Sequence, residues 1–98
     1  MKLKKRLNEN LSDTTNFSSD MEMIRLSITS EMDAINLYEQ LAVKAKDKRV
    51  KDIFNHIAEE EKHHVGEFIH LLNLLDLEQL KANKKGKEEA IDVIEKEK

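Results

Sequence analysis

The sequence predicts an all-α fold, in which two long helices form an antiparallel hairpin and a short helix follows at the C-terminus. Three observations support this prediction: proline is absent, glycine occurs only at Gly66 and Gly86, and apolar residues recur at helical spacing in two long segments. Charged residues make up 38% of the chain and aromatic residues 4%, which is typical of helices with solvated outer faces. At 98 residues the chain forms one small domain, near the size at which a single-chain core becomes marginal.

The first helix is predicted to begin at Ser19 and to end near Lys46. Ser19 and Glu22 have the spacing of a capping box, in which the hydroxyl accepts a hydrogen bond from a free backbone N–H and the carboxylate reaches back. Residues 1–18, which precede this helix, are polar and rich in Asn, Ser and Thr. We therefore expect them to form a flexible leader.

The second helix is predicted from about Arg49 to Leu75. The polar break at residues 46–49 is short, and a short turn makes two long helices pack antiparallel. The hairpin therefore occupies residues 19–76. Residues 77–98 are predicted to form a linker, rich in Lys and Asn, and then a short helix over residues 88–97.

Each long helix carries an apolar stripe that charged residues interrupt. The stripe of the second helix is Val50, Phe54, Ile57, Glu61, His64, Phe68, Leu71 and Leu75. The stripe of the first helix is Ile24, Ile28, Glu31, Ile35, Tyr38, Ala42 and Ala45. Glu61 and His64 are three residues apart and so are neighbours on one helix face. Burying a carboxylate and an imidazole is costly unless a partner compensates, and a metal ion is the usual partner.

Glu31 is expected to face the Glu61–His64 pair across the hairpin. At a rise of 1.5 Å per residue, Glu31 and Glu61 both lie about 21–24 Å from the turn. One Glu on one helix and Glu-x-x-His on the next is half of the ligand set of a di-iron site in a ferritin-like bundle. Two chains related by a twofold axis supply the full set and also close the apolar core. The hairpin is therefore predicted to dimerise into a four-helix ferritin-like bundle.

The same residues also have structural interpretations. Glu61 and His64 could form a buried hydrogen-bonded pair that sets the helix register, but Glu31 would then be an unpaired buried charge. Glu31 alone could be a partly solvated surface residue, although its matching depth argues against this. For Tyr38, two alternatives stay open: core packing with a bonded hydroxyl, or a hydrogen bond to a ligand carboxylate.

Glu60 and His63 also have Glu-x-x-His spacing, so the main site could use either this pair or Glu61 and His64. They belong to a neighbouring stripe without apolar members, which we call the polar stripe: His56, Glu60, His63, Glu67 and His70. We interpret the polar stripe as a solvated face, with a weak surface site for a divalent ion as the alternative. Glu67, next to Gly66, could also help to conduct iron. The apolar stripe selects Glu61 and His64 for the main site.

Composition excludes several classes of function. The net charge of -3 provides no basic surplus for nucleic-acid phosphates. Cysteine is absent, which excludes disulfides and iron–sulfur ligation. Residues 1–10 lack the apolar core of a signal peptide, and no apolar run approaches the roughly 20 residues that span a membrane. We therefore expect a cytoplasmic protein with no nucleic-acid or membrane partner.

The chain resembles the encapsulated ferritin-like proteins, which are relatives of ferritins and rubrerythrins carried inside encapsulin nanocompartments. Residues 31–40 (EMDAINLYEQ) and 58–68 (AEEEKHHVGEF) carry the resemblance, which covers roughly residues 20–80. The chain is especially similar to the ferritin-like segment that some archaeal encapsulins carry fused to the shell protein. The resemblance implies that Glu31, Glu61 and His64 are ferroxidase ligands. It also implies a ring-shaped homodecamer built from such dimers, with an encapsulin shell as partner.

The chain departs from the pattern of this family at several positions. The acidic residues that flank the first ligand in bacterial members, as an outer iron-uptake site, are replaced by Ser30 and Asp33. The Trp that often precedes the tyrosine is Leu37, and the C-terminal residues 91–98 are more acidic than an encapsulation tail.

Carboxylates and one imidazole per metal suit iron, because carboxylates stabilise Fe(III) and the mixed donors fit Fe(II). Two such irons can pass two electrons to dioxygen, which leaves as peroxide. The predicted function is a ferroxidase with a di-iron centre, for iron storage inside an encapsulin compartment. One alternative is a rubrerythrin-like peroxidase, although the chain has no Cys for a rubredoxin centre. A non-catalytic helical assembly module is the other.

Overall fold

A computed structural model of the protein describes residues 19–96, which form three helices and no strands. The helices are α1 (Asp20–Lys44), α2 (Lys48–Leu75) and α3 (Leu77–Lys96). The prediction of an all-α fold is confirmed. The leader predicted for residues 1–18 lies outside the described residues. Within those residues, no helix is long and apolar enough to cross a membrane.

The predicted N-cap of the first helix is confirmed. The Ser19 hydroxyl accepts a hydrogen bond from the backbone N–H of Glu22 at 3.3 Å, and Asp20 and Glu22 place negative charge in the first turn. Carboxylates there interact favourably with the helix dipole. The helix ends at Lys44, where the backbone N–H of Ala45 donates to the carbonyl of Leu41 at 2.9 Å.

Asp47 ends the turn and begins α2. Its carboxylate accepts hydrogen bonds from the Arg49 guanidinium at 2.8 Å and from the Arg49 backbone N–H at 2.8 Å. The Arg49 side chain, followed by its backbone N–H, lowers the pKa of Asp47. A turn this short makes α2 run back along α1, and the stacked rings of Tyr38 and Phe54 lie near the closed end of the hairpin.

The core of the hairpin combines three alanines with four larger aliphatic residues. The buried apolar residues are Ile24, Ala34, Ile35, Ala42, Ala58, Val65 and Leu72. Alanines at the contact let two helix backbones approach closely. On α2 the most buried line is therefore Ala58, Val65 and Leu72, and the apolar stripe predicted from the sequence lies on its flank.

Several members of the predicted α2 stripe are exposed in the single chain. Val50 is 45% exposed, Leu71 41% and Leu75 49%. The apolar stripe of α2 is therefore not fully covered by α1, in line with the expectation that a second chain is needed to close the core. Two amphipathic helices can cover only one side of each other. The larger apolar residues at the flank therefore remain exposed and are available for contact with another surface.

Asp76, which is 7% exposed, joins all three helices. Its backbone N–H donates to the carbonyl of Leu72 at 2.8 Å and so ends α2. Its Oδ1 accepts from the backbone N–H of Gln79 at 3.0 Å and so caps α3, while its Oδ2 accepts from the Arg25 guanidinium of α1. One carboxylate therefore fixes the direction in which α3 leaves the hairpin.

The predicted linker at the start of residues 77–98 is wrong, because α3 begins at Leu77 and runs to Lys96 without a break. Asp76 and Gln79 have the spacing of a capping box, which starts the helix immediately after α2 ends. Gly86 lies inside α3, where its cost of about 1 kcal/mol is offset by surrounding Lys, Glu and Ala residues. None of the residues of α3 is buried.

We expect Asp76→Ala to lower the melting temperature of the metal-free protein by about 5 °C at pH 7, because it removes the cap of α3. The Gln79 backbone N–H and the Arg25 guanidinium lower the pKa of Asp76 below its ordinary 3.8. A lowered folded-state pKa contributes stability above pH 3.8 that is lost as the pH falls through the lowered value. The difference between variant and parent should therefore shrink in melts below pH 3.8.

Asp76→Asn is the matched control, because asparagine keeps a capping acceptor and loses only the charge. Circular dichroism melts should place it between the parent and Asp76→Ala at pH 7. An Asp76→Ala deficit that does not change with pH would show that the charge on Asp76 does not contribute.

Candidate metal centre

The structure brings three of the predicted site residues together. Glu31 projects from α1, and Glu61 and His64 project from α2. Each offers a donor atom, and these atoms all lie within 4.8 Å of one another. Over residues 19–96 this is the one group of at least three His, Cys, Asp or Glu residues with such spacing. The antiparallel hairpin and the helical spacing of Glu-x-x-His produce this convergence.

His64 lies between the two carboxylates. Its Nδ1 is 3.4 Å from Glu31 Oε2 and 3.6 Å from Glu61 Oε2. Glu31 Oε2 is buried and accepts no hydrogen bond from any residue in the described part of the chain. A buried carboxylate oxygen without a donor is costly, so this atom has an unused capacity to bind a cation.

The charges around the group leave this capacity unfilled. The ammonium of Lys62, which follows Glu61 on α2, pairs with Glu39 Oε2 at 3.0 Å. Among residues 19–96 no Lys or Arg pairs with Glu31 or Glu61. Two carboxylates and one imidazole therefore converge without a fixed positive charge of their own.

The donor set fits iron. Oxygen and nitrogen donors in this mixture suit Fe(II), and hard carboxylates suit Fe(III). The side chains of Glu31 and Glu61 are 22% and 19% exposed, and that of His64 is 45% exposed. A group at this depth is shielded from bulk water yet remains accessible from one side. Three donors are half of the six that a ferritin-like di-iron centre takes from its four helices.

Tyr38 contacts the second helix of the hairpin through its ring. Its ring stacks on Phe54 with centroids 6.0 Å apart and an interplanar angle of 26°. This contact supports the packing role that was one of the two alternatives for Tyr38. A hydrogen bond from its hydroxyl to a ligand carboxylate stays a prediction.

The polar stripe remains on the outside of α2. His56 Nε2 pairs with Glu60 Oε1, and these side chains are 66% and 51% exposed. Its members do not form a group of three donors with metal-binding spacing in residues 19–96. The structure thus places Glu61 and His64, and not Glu60 and His63, beside Glu31.

One feature was missed by the sequence reasoning, and another was anticipated only as an alternative. Glu67 was assigned to the solvated polar stripe, with a role in conducting iron as the alternative, and the structure shows that it lines a pocket together with Glu31 and His64. The signal was present, because Glu67 is three residues after His64 and so is its neighbour on the helix. The contact of Arg25 with Asp76 joins residues far apart in sequence, and no local pattern predicts it.

An antiparallel helical hairpin that presents Glu on one helix and Glu-x-x-His on the next is the half-bundle of a ferritin-like protein. The sequence profile of the rubrerythrin family matches residues 22–98. The match covers most of the chain, so the chain belongs to the rubrerythrin family of ferritin-like proteins.

Known relatives include proteins associated with encapsulins, which confirms the resemblance found in the sequence. The chain is 54% identical over 69 residues, 70% of its length, to a ferritin-like–encapsulin shell fusion protein of Pyrococcus furiosus. It is 42% identical over 57 residues, 58% of its length, to the encapsulin nanocompartment cargo protein EncB of Myxococcus xanthus. The matched segments span only 20% and 36% of the lengths of these relatives.

The fold matches a solved structure over most of both chains. The crystal structure of an encapsulated ferritin domain from Pyrococcus furiosus superposes with a TM-score of 0.72 and 45% sequence identity. The match covers 81% of this chain and 89% of that chain. The ferritin-like fold class is therefore confirmed.

Proposed function

We propose that this protein is a ferroxidase, which oxidises Fe(II) to Fe(III) at a di-iron site shared between two subunits. The observation that carries the proposal is the convergence of Glu31, Glu61 and His64 within 4.8 Å, with Glu31 Oε2 buried and lacking a hydrogen bond among the described residues. Iron is here the substrate, held while it gives up its electrons. The names of the encapsulin-associated relatives support a role as cargo of an encapsulin compartment.

The exposed apolar residues beside the site support a second subunit. Ile53, Leu71 and Leu75 are 57%, 41% and 49% exposed, although each lies on the hairpin helix that carries Glu61 and His64. A soluble single chain rarely leaves such a surface uncovered. A twofold-related hairpin covers it and brings a second set of three donors to the first. The larger ring of dimers implied by the resemblance belongs to the same proposal.

The roles of the residues follow from their chemistry. Glu31 and Glu61 supply negative charge that binds Fe(II) and stabilises the higher charge of Fe(III). His64 supplies a neutral nitrogen donor, the form in which an imidazole binds metal. The pairing of Lys62 with Glu39 keeps a competing ammonium away from the carboxylates. Each dioxygen accepts one electron from each of two Fe(II) ions. It also takes up two protons from the solvent and leaves as hydrogen peroxide.

Oxygen consumption with Fe(II) tests the proposal. We expect the purified, metal-free protein to accelerate Fe(II) oxidation by dioxygen, with about two Fe(II) oxidised per dioxygen at early times, as the electron balance requires. An oxygen electrode and the absorbance of Fe(III) measure the two quantities. A purified protein that binds no iron would contradict the ferroxidase and would support the non-catalytic assembly module.

The match to the rubrerythrin family favours one second candidate, a di-iron peroxidase. The two enzymes differ in the oxidant. A peroxidase should consume hydrogen peroxide faster than dioxygen when it is loaded with Fe(II) without oxygen. Faster reaction with dioxygen supports the ferroxidase.

A further inference from the structure

The third helix carries apolar side chains that the described part of the chain leaves uncovered. None of the residues of α3 is buried, and every position from Leu80 to Lys96 is exposed. Four of its apolar side chains are 43–62% exposed: Leu77, Leu80, Ile91 and Ile94. Most of the stability of a helix in a protein comes from packing of its apolar face, and α3 has no such packing within the described residues.

These four residues belong to a stripe with the spacing of a coiled-coil seam. Lys84 and Lys87 fill the gap between the two apolar pairs, so that the intervals alternate between three and four residues. We call this set the α3 stripe: Leu77, Leu80, Lys84, Lys87, Ile91 and Ile94. Two helices with such intervals can pack along their whole length.

The α3 stripe matches a second copy of itself that runs in the opposite direction. In that arrangement Leu77 lies opposite Ile94 of the second copy, and Leu80 lies opposite its Ile91. The two central lysines then lie opposite each other, where their aliphatic stems add apolar contact and their ammonium groups reach solvent. A shift by one heptad would place lysine against isoleucine and leave an apolar end uncovered, so one register is favoured.

The charges beside the stripe favour the same orientation. Lys81 and Glu88 lie on one edge of the stripe, seven residues apart. In the antiparallel register, Lys81 of each copy lies next to Glu88 of the other, and such flanking charges set the orientation of paired helices. Neither residue has an ion pair within residues 19–96. A parallel pair would instead bring the lysine-rich residues 81–87 together and the acidic residues 88–95 together.

Antiparallel packing also keeps the two hairpins apart. One residue separates α2 from α3, so each hairpin lies at the N-terminal end of its own α3. Parallel α3 helices would therefore bring two hairpins to the same place. In an antiparallel pair the hairpins lie at opposite ends, about 26 Å apart along the axis, which is the rise of the segment from Leu77 to Ile94.

We propose that the α3 stripe binds the α3 stripe of a second copy of this chain in antiparallel orientation, with Lys81 beside Glu88. This surface lies outside the hairpin and needs no metal, so it is separate from the shared iron site. A pair of helices of 20 residues binds weakly by itself. Each hairpin dimer carries two α3 helices, however, so several such contacts can act together and join one dimer to the next.

Disulfide trapping tests the orientation, because the chain has no cysteine of its own. The full-length Leu80→Cys and Ile91→Cys variants are mixed without metal and oxidised, and peptide mapping by mass spectrometry identifies which chains are joined. In the antiparallel pair the two substituted positions meet, whereas two copies of position 80 are about 16 Å apart, beyond the reach of a disulfide. We expect disulfides between unlike variants to be about tenfold more abundant than those between like variants. Random collision would give equal amounts.

Charge reversal tests the register in the same trapping assay. Lys81→Glu should slow disulfide formation about tenfold at low ionic strength, because two attractions per pair become repulsions. Adding Glu88→Lys to the same chain restores opposite charges and should restore most of the rate. Lys85→Glu is the matched control, because it makes the same change of charge at an exposed position outside the stripe. It should change the rate by less than about twofold.

Three results would overturn the pairing. These are disulfides between like variants that equal or exceed those between unlike variants, no disulfide at all, and equal slowing by Lys81→Glu and Lys85→Glu. None of these results depends on metal, so each would leave the proposed ferroxidase in place.

Discussion

Replacing Glu61 or His64 with alanine is expected to abolish rapid Fe(II) oxidation. Because two subunits share the site, each substitution removes two donors from one centre. We expect the initial rate to fall by about a hundredfold or more, since loss of even an outer partner of a metal ligand costs about 10–100-fold. Stopped-flow absorbance of Fe(III) in air measures the rate. Circular dichroism establishes that each variant is folded.

Glu60→Ala and His63→Ala are the controls for helical phase. Both residues are exposed on the polar stripe. They also lie outside the group of three donors found in the described part of the chain. Surface substitutions usually change stability by about 0.5 kcal/mol or less, and we expect the oxidation rate to stay within about twofold. If these two variants lowered the oxidation rate more than Glu61→Ala and His64→Ala do, the face of α2 that binds metal would be shifted by one residue from the one proposed.

The second large effect is expected in assembly: Fe(II) should drive monomers into dimers. A ligand that binds the dimer and not the monomer stabilises the dimer by about 2.7 kcal/mol per site when present at about 100 times its Kd, which is a hundredfold in the association constant. Native mass spectrometry of the protein, titrated with Fe(II) without oxygen, should show even-numbered oligomers at about one iron per chain, as the shared ligand set requires.

Glu31→Gln is the control for the assembly experiment. It keeps the size of the side chain and removes the charge of the buried carboxylate that faces Glu61 and His64. The dimer should then respond weakly to Fe(II), while the oligomeric state without metal should be unaffected or shifted toward dimer, because like charges no longer meet at the axis. A monomer that holds two irons at full affinity contradicts a shared site.

The hairpin and its site could be predicted because local rules and geometry agree. Ser19 has the spacing of a capping box, and the short turn forces α2 back along α1. Equal distances from the turn then place Glu31 beside Glu61. Each of these inferences uses only neighbours in sequence and the constant rise of a helix.

The length of α3 and the phase of the α2 core were not predicted correctly. Asp76 and Gln79 carry the same capping signal as Ser19 and Glu22, but Lys-rich composition and Gly86 made the segment resemble a linker. On α2, the predicted stripe followed the larger apolar residues and did not include Ala58. Yet Ala58 is 2% exposed, because small side chains determine where the backbones approach.

Only one residue, Asp76, separates α2 from α3, so a change of backbone angle at this residue reorients the whole third helix. Its 20 residues span about 30 Å, so a rotation of about 10° at Asp76 displaces its far end by about 5 Å. Arg25, which contacts Asp76, belongs to the same helix as Glu31, so the orientation of α3 is connected to the helix that carries one of the candidate ligands.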